Sequence, residues 1–127
     1  MYREDLSVYK NLKGAEELNT FCVGWLDEHH HFQKGVVGRD VLNRVLELCF
    51  APVNKTRGFH VSPFRGREMG EYRVQNGGAG MTLGSAEIRV TGQDGRIYAA
   101  PNLVYHYMKD CGYCPPIEFV EAIVSTL

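Results

Sequence analysis

Three stretches of the chain place apolar side chains at the spacing of an α-helix. The first begins near Asp40, and Pro52 predicts where this central helix ends. The second follows Pro101, which suits a first helical turn, and Gly112 is typical of a helix C-terminus. The third follows the Pro-Pro pair at 115–116. The apolar positions are Val41, Leu42, Val45, Leu46 and Cys49; Leu103, Val104, Tyr107, Met108 and Cys111; and Phe119, Val120, Ile123, Val124 and Leu127.

An alternation of apolar and polar side chains predicts a β-hairpin in the C-terminal half. Residues 86–91 alternate with period two, residues 92–95 are rich in turn formers, and residues 96–99 supply the partner strand. The apolar run 21–26 predicts a buried strand. Strands in the middle and helices at one end favour an α+β fold. We expect a small antiparallel sheet containing this hairpin, one central helix and two C-terminal helices.

Residues 51–85 have the least regular pattern. Short strands are predicted at 57–62 and 70–74, and the run 76–80, Asn-Gly-Gly-Ala-Gly, predicts a flexible loop. The chain shows no internal repeat and no linker long enough to divide it. A length of 127 residues suits one domain, so residues 1–127 are expected to form a single domain.

Composition narrows the classes of function. The chain is 44% hydrophobic and 23% charged, close to the average soluble protein, and its net charge of −1 gives no general attraction to nucleic acid or to an anionic membrane. No apolar run approaches the roughly 20 residues that span a bilayer, and the N-terminal residues lack an apolar signal core. Four cysteines are too few for a disulfide scaffold. We expect a cytoplasmic protein with reduced cysteines and no membrane partner.

The stretch YHYMKDCGYC, residues 105–114, raises the question of a metal or redox site. Cys111 falls on the apolar face of its predicted helix, whereas His106 falls on the polar side, so one ion would not readily bridge them. A redox pair would place its first cysteine at a helix N-terminus, and here the pair follows a C-terminus. No metal is therefore predicted; if one were present, its ligands would be His60, His106, Cys111 and Cys114.

Motifs of catalysis are absent from the chain. There is no Gly-x-Ser-x-Gly elbow, no Walker lysine, no dinucleotide fingerprint and no pair of acids spaced for acid–base work. The sequence therefore predicts neither an enzyme nor a cofactor.

Two segments are candidate working surfaces. The cluster 28–31, Glu-His-His-His, suits a solvated turn, with His30 kept as a functional candidate. Residues 55–73 carry five basic side chains against two glutamates, with aromatic residues between them. Such a stretch is either a solvated loop or a surface that docks an acidic partner. The predicted partner-binding residues are Arg57, Phe64, Arg65, Arg67, Tyr72 and His30.

Three segments, VGWLDEHHHFQKG, GFHVSPF and the long tail that contains YAAPNLVYHYMKDCGYCPPIEF, resemble a family of small uncharacterised bacterial proteins. The resemblance extends from about residue 21 onward. It implies a zinc set of two cysteines and two histidines, which falls on Ser62, Arg65, His106 and Cys111. Serine is a poor zinc ligand and arginine cannot ligate, so this chain departs from the set at three of four positions. The resemblance implies no activity.

Two hypotheses of function remain. The first is a non-catalytic interaction protein of the bacterial cytosol whose partner is another protein, either one with an acidic surface or a cognate toxin that an immunity-type protein would bind. The second is a small enzyme or a ligand- or metal-binding domain that uses His30, His60 and His106. Convergence of these three histidines in one concave site would favour the second hypothesis, and separation would favour the first.

Overall fold

A computed structural model describes all of residues 1–127. It contains six β-strands, three α-helices and one short 3₁₀ turn. The elements in chain order are β1 (Val8–Lys10), β2 (Glu16–Cys22), α1 (Arg39–Cys49), the 3₁₀ turn (Arg67–Met69), β3 (Tyr72–Asn76), β4 (Ala79–Leu83), β5 (Glu87–Thr91), β6 (Ile97–Pro101), α2 (Val104–Asp110) and α3 (Ile117–Val124).

The strands form two sheets. The larger has the order β1-β2-β6-β5, and β3 pairs with β4 in a separate two-stranded sheet. The α+β class, the β5–β6 hairpin, the central helix and the two C-terminal helices are confirmed. The larger sheet is mixed rather than wholly antiparallel, because β2 and β6 run parallel with Cys22 opposite Ala99. A parallel pair needs a long crossover, and the chain between β2 and β6 supplies one that includes α1 and the second sheet.

The main core is a cluster of 21 buried residues shared by the helices and the strands, and a second, small cluster consists of Tyr9, Cys22 and Ala99. Helix α1 contributes Val41, Val45 and Cys49, the stripe expected from its periodicity. Strand β5 contributes Ile88 and Val90, the apolar half of its alternation. None of the three helices, of which α1 is the longest at 11 residues, has the length and apolarity needed to cross a bilayer.

Several element positions differ from the sequence prediction. Strand β2 starts at Glu16 and ends at Cys22, so only the beginning of the run 21–26 is strand. Pro101 is the last residue of β6, where it lies opposite Glu87, and α2 begins three residues later. The predicted flexible loop 76–80 is instead the tip of the β3–β4 hairpin, with a two-residue turn at 77–78 in which Gly77 supplies the positive φ, 61°.

Residues 57–62 form no strand, but this irregular segment is tied to the sheet by backbone hydrogen bonds. Val53 exchanges hydrogen bonds of 2.8 and 2.9 Å with Glu87, and the His60 N–H donates to the carbonyl of Gly84 at 2.8 Å. Gly84 has φ 114°, and a Cβ there would collide with the His60 carbonyl. The close approach therefore requires glycine, and it fixes the height of the segment above the sheet.

Candidate functional site

The side chain of His106 lies inside the protein, with 3% of its surface exposed. This corrects the prediction that His106 faces solvent from the polar side of its helix. Ser62 and Tyr72 both contact the imidazole ring, so the 62–65 segment and β3 cover this side of α2 as a second layer. Helical periodicity describes one helix only, so it did not reveal this second layer.

His106 joins three elements through hydrogen bonds. Its Nε2 lies 2.8 Å from the Ser62 Oγ, and its Nδ1 lies 2.9 Å from Asp110 Oδ2. The Tyr72 hydroxyl donates to the same Asp110 oxygen at 2.7 Å, and the Tyr72 and His106 ring centroids are 4.3 Å apart. We call Ser62, Tyr72, His106 and Asp110 the His106 clamp, because they fasten the 62–65 segment and β3 to α2.

The electrostatics of the clamp favour a neutral imidazole. Burial lowers the pKa of His106, and the nearby carboxylate of Asp110 offsets this only in part. Partial burial acts to raise the pKa of Asp110, but the hydrogen bonds from Tyr72 and His106 outweigh it and the pKa is lowered. The neutral ring therefore donates a hydrogen bond from Nδ1 to the Asp110 carboxylate. Its Nε2 accepts a hydrogen bond from the Ser62 hydroxyl.

The four positions implied as zinc ligands gather around this clamp. The Cys111 Sγ is 3.7 Å from His106 Nε2, and the Arg65 guanidinium lies over the Tyr72 ring at 5.2 Å. The prediction that His106 and Cys111 lie on separate faces is therefore wrong, because the two side chains are in contact at the C-terminal end of α2.

The residues present do not fit a zinc ion. A serine hydroxyl is a poor ligand and the Arg65 cation repels a metal, so only His106 and Cys111 offer suitable donors here. No group of three or more His, Cys, Asp or Glu side chains gathers as a metal site in the structure. His60 is exposed elsewhere on the surface, and the Cys114 thiol makes its one hydrogen bond to the Pro115 carbonyl.

The order Ser62–His106–Asp110 reproduces the hydrogen bonding of a catalytic triad, but its surroundings differ from those of an active site. Ser62 is 3% exposed, and its Oγ accepts a hydrogen bond from the Phe64 N–H at 3.2 Å. Neither of the two cavities described below is lined by Ser62 or His106. Because Ser62 is nearly enclosed and its oxygen already has two hydrogen-bond partners, this geometry suits a structural clamp.

The predicted partner-binding residues fall into three surroundings. Arg57 and Arg67 are exposed, whereas Arg65 is half-buried beside Tyr72. Phe64 is half-buried and packs edge-on against Phe32 and Tyr107, with centroid separations of 5.6 Å in both cases. His30 stands apart: its ring stacks on Tyr2 at 3.7 Å and its Nδ1 lies 2.7 Å from Asp27.

Sequence reasoning missed most of the exposed apolar side chains near the basic residues. Val53, Phe59, Val61 and Met69 are all large, apolar and exposed. In the sequence pattern, Phe59 is one of the aromatic residues between the cations and Val61 lies within the strand predicted at 57–62. We call residues 53–69 the docking loop. Its exposed cations are Lys55, Arg57 and Arg67, and none of them forms an ion pair.

The docking loop contributes to the walls of two cavities. The larger, of about 370 Å³, is lined by His60 and Val61 together with Trp25 and Asp27. The smaller, of about 260 Å³, lies beside Lys55 and Phe59. His60 lines the larger cavity while His106 lies in the clamp and His30 in its stack on Tyr2, so the three histidines occupy three separate surroundings.

Comparison with known proteins places the chain in a family. The profile of a family described as a domain of unknown function (DUF7919) matches residues 1–124. The chain therefore belongs to this uncharacterised family, which confirms the expectation of an uncharacterised domain family. No curated protein and no solved structure matches the chain.

Proposed function

We propose that this member of the DUF7919 family is a non-catalytic protein that binds another protein through its docking loop. The observation that carries the proposal is the composition of that surface. Four large apolar side chains are exposed within 17 residues, beside three cations that have no ion-pair partner. Apolar groups with unpaired charges around them are characteristic of protein interfaces, and the positive sign favours an acidic partner.

The way the docking loop is held also supports a binding surface. Backbone hydrogen bonds from Val53 to Glu87 and from His60 to Gly84, together with the contact of Ser62 with His106, fasten the first half of the loop to the scaffold. A loop held on a rigid scaffold loses less conformational entropy when a partner binds. The separation of His30, His60 and His106 gives no support to a shared catalytic or metal-binding pocket.

A capture experiment with a matched control tests the proposal. The tagged chain is used to isolate partners from its source cell at low and at high salt, alongside two double variants. Arg57→Ala with Arg67→Ala should lose a specific acidic partner, because it removes two exposed cations from the docking loop. Lys10→Ala with Lys13→Ala removes two exposed cations from the β1–β2 region and should retain it. Equal capture by both variants would place the binding surface elsewhere.

The finer proposal is an immunity-type protein of the bacterial cytosol that neutralises a cognate toxin. The partner recovered by capture would then arrest growth when it is expressed alone. Co-expression of the wild-type chain should restore growth, and the Arg57 and Arg67 double variant should fail to do so. A partner that is harmless by itself would contradict the immunity role and leave the docking function intact.

A further inference from the structure

The smaller cavity lies between the docking loop and the β3–β4 hairpin, and it has a buried polar floor. Lys55 and Phe59 of the docking loop line it together with Met81 of β4. Ser85 and Asn102 also line it, although their residues are only 4% and 1% exposed. The volume, about 260 Å³, is suited to one side chain.

Two hydrogen-bonding groups of this floor have no partner within the protein. The Asn102 Oδ1 accepts the Gly84 N–H at 2.8 Å, but the Asn102 Nδ2 makes no hydrogen bond, and neither does the Ser85 Oγ. Arg65 Nη1 is the only fully enclosed side-chain nitrogen or oxygen without a partner. Each of the two groups therefore keeps a small accessible surface, and the smaller cavity is a space that both residues line.

The charge around this floor has one sign. Lys55 forms no ion pair, and no aspartate or glutamate lines the cavity. The Thr82 hydroxyl, also in the wall, accepts a hydrogen bond from Arg73 at 2.7 Å and so keeps its own proton for donation. An amide NH₂, hydroxyl groups and an ammonium group together form a set of donors that requires an acceptor.

We propose that this cavity receives the carboxylate of an aspartate or glutamate side chain of the partner protein, an inference that rests on the proposed function. The carboxylate would accept hydrogen bonds from Asn102 and Ser85 and pair with Lys55. Phe59 and Met81 would contact its methylene stem. A carboxylate satisfies all of these donors at once, whereas an amide would turn an NH₂ group toward some of them.

A pair of small probes tests the site without the partner. N-acetyl-glutamate amide and N-acetyl-glutamine amide differ only in the side-chain carboxylate, and both are titrated into the wild-type chain while NMR signals are followed. The carboxylate probe should shift the Asn102 side-chain NH₂ and Phe59 signals saturably. It should bind about tenfold more tightly than the amide probe, since the gain is one charge-assisted contact. Equal or absent shifts would overturn the proposal.

Two variants identify the groups responsible. Asn102→Asp keeps the acceptor for the Gly84 N–H but replaces the donor NH₂ with an oxygen, so it should abolish binding of the carboxylate probe. Lys55→Met retains the apolar stem at an exposed position and should remove the preference for the carboxylate over the amide. If Asn102→Asp does not fold, Lys55→Met decides the question, with Lys13→Met as the control for general charge. Preference that survives Lys55→Met would refute the site.

The two proposals fail separately. A partner lost by the Arg57 and Arg67 variant, without any carboxylate preference in the cavity, would retain the docking function and refute this site. Carboxylate binding in a chain that captures no partner would establish the site and refute the docking function.

Discussion

Among single side chains, His106 has the environment with the clearest consequence for stability. Its pKa is lowered by burial from the ordinary value of 6.5, so between the lowered value and about 6.5 the unfolded chain binds more protons than the folded one. The contribution of His106 to the free energy of unfolding should therefore be fully present above pH 6.5. It should decrease as the pH falls below 6.5. Urea unfolding from pH 5 to 7.5 measures this slope, and His106→Gln should flatten it. An unchanged slope would show that other groups cause it.

The four cysteines should respond differently to substitution and to reagents. Cys22 and Cys49 are fully buried, and burial raises the pKa of Cys49 to about 12, whereas Cys111 and Cys114 are half-buried. Cys22→Ser and Cys49→Ser should each lower the free energy of unfolding by about 1–3 kcal/mol, because a hydroxyl replaces an apolar thiol. Cys111→Ser should cost less. In the native state, a thiol reagent should label Cys22 and Cys49 slowly and Cys111 faster. Slow labelling of Cys111 would contradict this order of exposure.

The prediction for metal content depends on two residues that differ from the zinc ligands implied by the resemblance. Ser62 and Arg65 stand where the resemblance implies cysteine ligands, and Arg65 brings a positive charge beside His106. We expect less than one equivalent of zinc in the purified chain and no loss of fold in chelator. Elemental analysis measures the first and circular dichroism the second. Stoichiometric zinc would require the clamp to rearrange around an ion.

Among the structural elements, the docking loop should depend on the His106 clamp for its order. Ser62→Ala removes the hydrogen bond to His106 and the longer one from the Phe64 N–H, a loss of at least about 1 kcal/mol, which corresponds to roughly fivefold or more local opening. Native-state trypsin cleavage after Arg65 and Arg67 should accelerate by that factor. Cleavage after Lys13 in the same digest is the internal control. Equal acceleration at all sites would indicate global destabilisation instead.

Elements that show a periodic pattern of apolar residues within their own sequence could be predicted. Elements without such a pattern could not. Helix α1 and strand β5 show clean periodicity because one face of each packs on the core. Strand β1 and the first half of β2 are mostly exposed, so no alternation distinguishes them from a polar loop. The parallel pairing of β2 with β6 is a long-range contact that no local pattern records.

The candidate site was predictable only in part, for a related reason. The cationic character of the docking loop is a property of composition and is visible in the sequence. The exposure of Val53 and Met69 and the burial of His106 depend on the tertiary packing of one element against another. This packing is not recorded in the local sequence. The open amide of Asn102 gives no signal in the sequence, because a lone asparagine before a helix normally suggests a cap.

Over the whole molecule, the charge is divided unevenly, and this division sets the expected binding kinetics. The net charge is −1, yet the docking loop holds four cationic side chains and one carboxylate, so the rest of the chain is net negative. Such a patch attracts an acidic partner during encounter, and salt screens the attraction. The association rate should fall as salt rises, while the dissociation rate should change little.

The docking-loop arginines allow this effect to be separated from stability. Arg57→Ala and Arg67→Ala should each leave the free energy of unfolding within about ±0.5 kcal/mol, because both side chains are exposed. Arg65→Ala should cost more, about 1–2 kcal/mol, since its half-buried guanidinium lies over Tyr72. Stopped-flow association with the captured partner should show a lower rate and a shallower salt dependence for the Arg57 and Arg67 double variant. An unchanged rate in a stable double variant would mean that the field of the docking loop does not steer the partner.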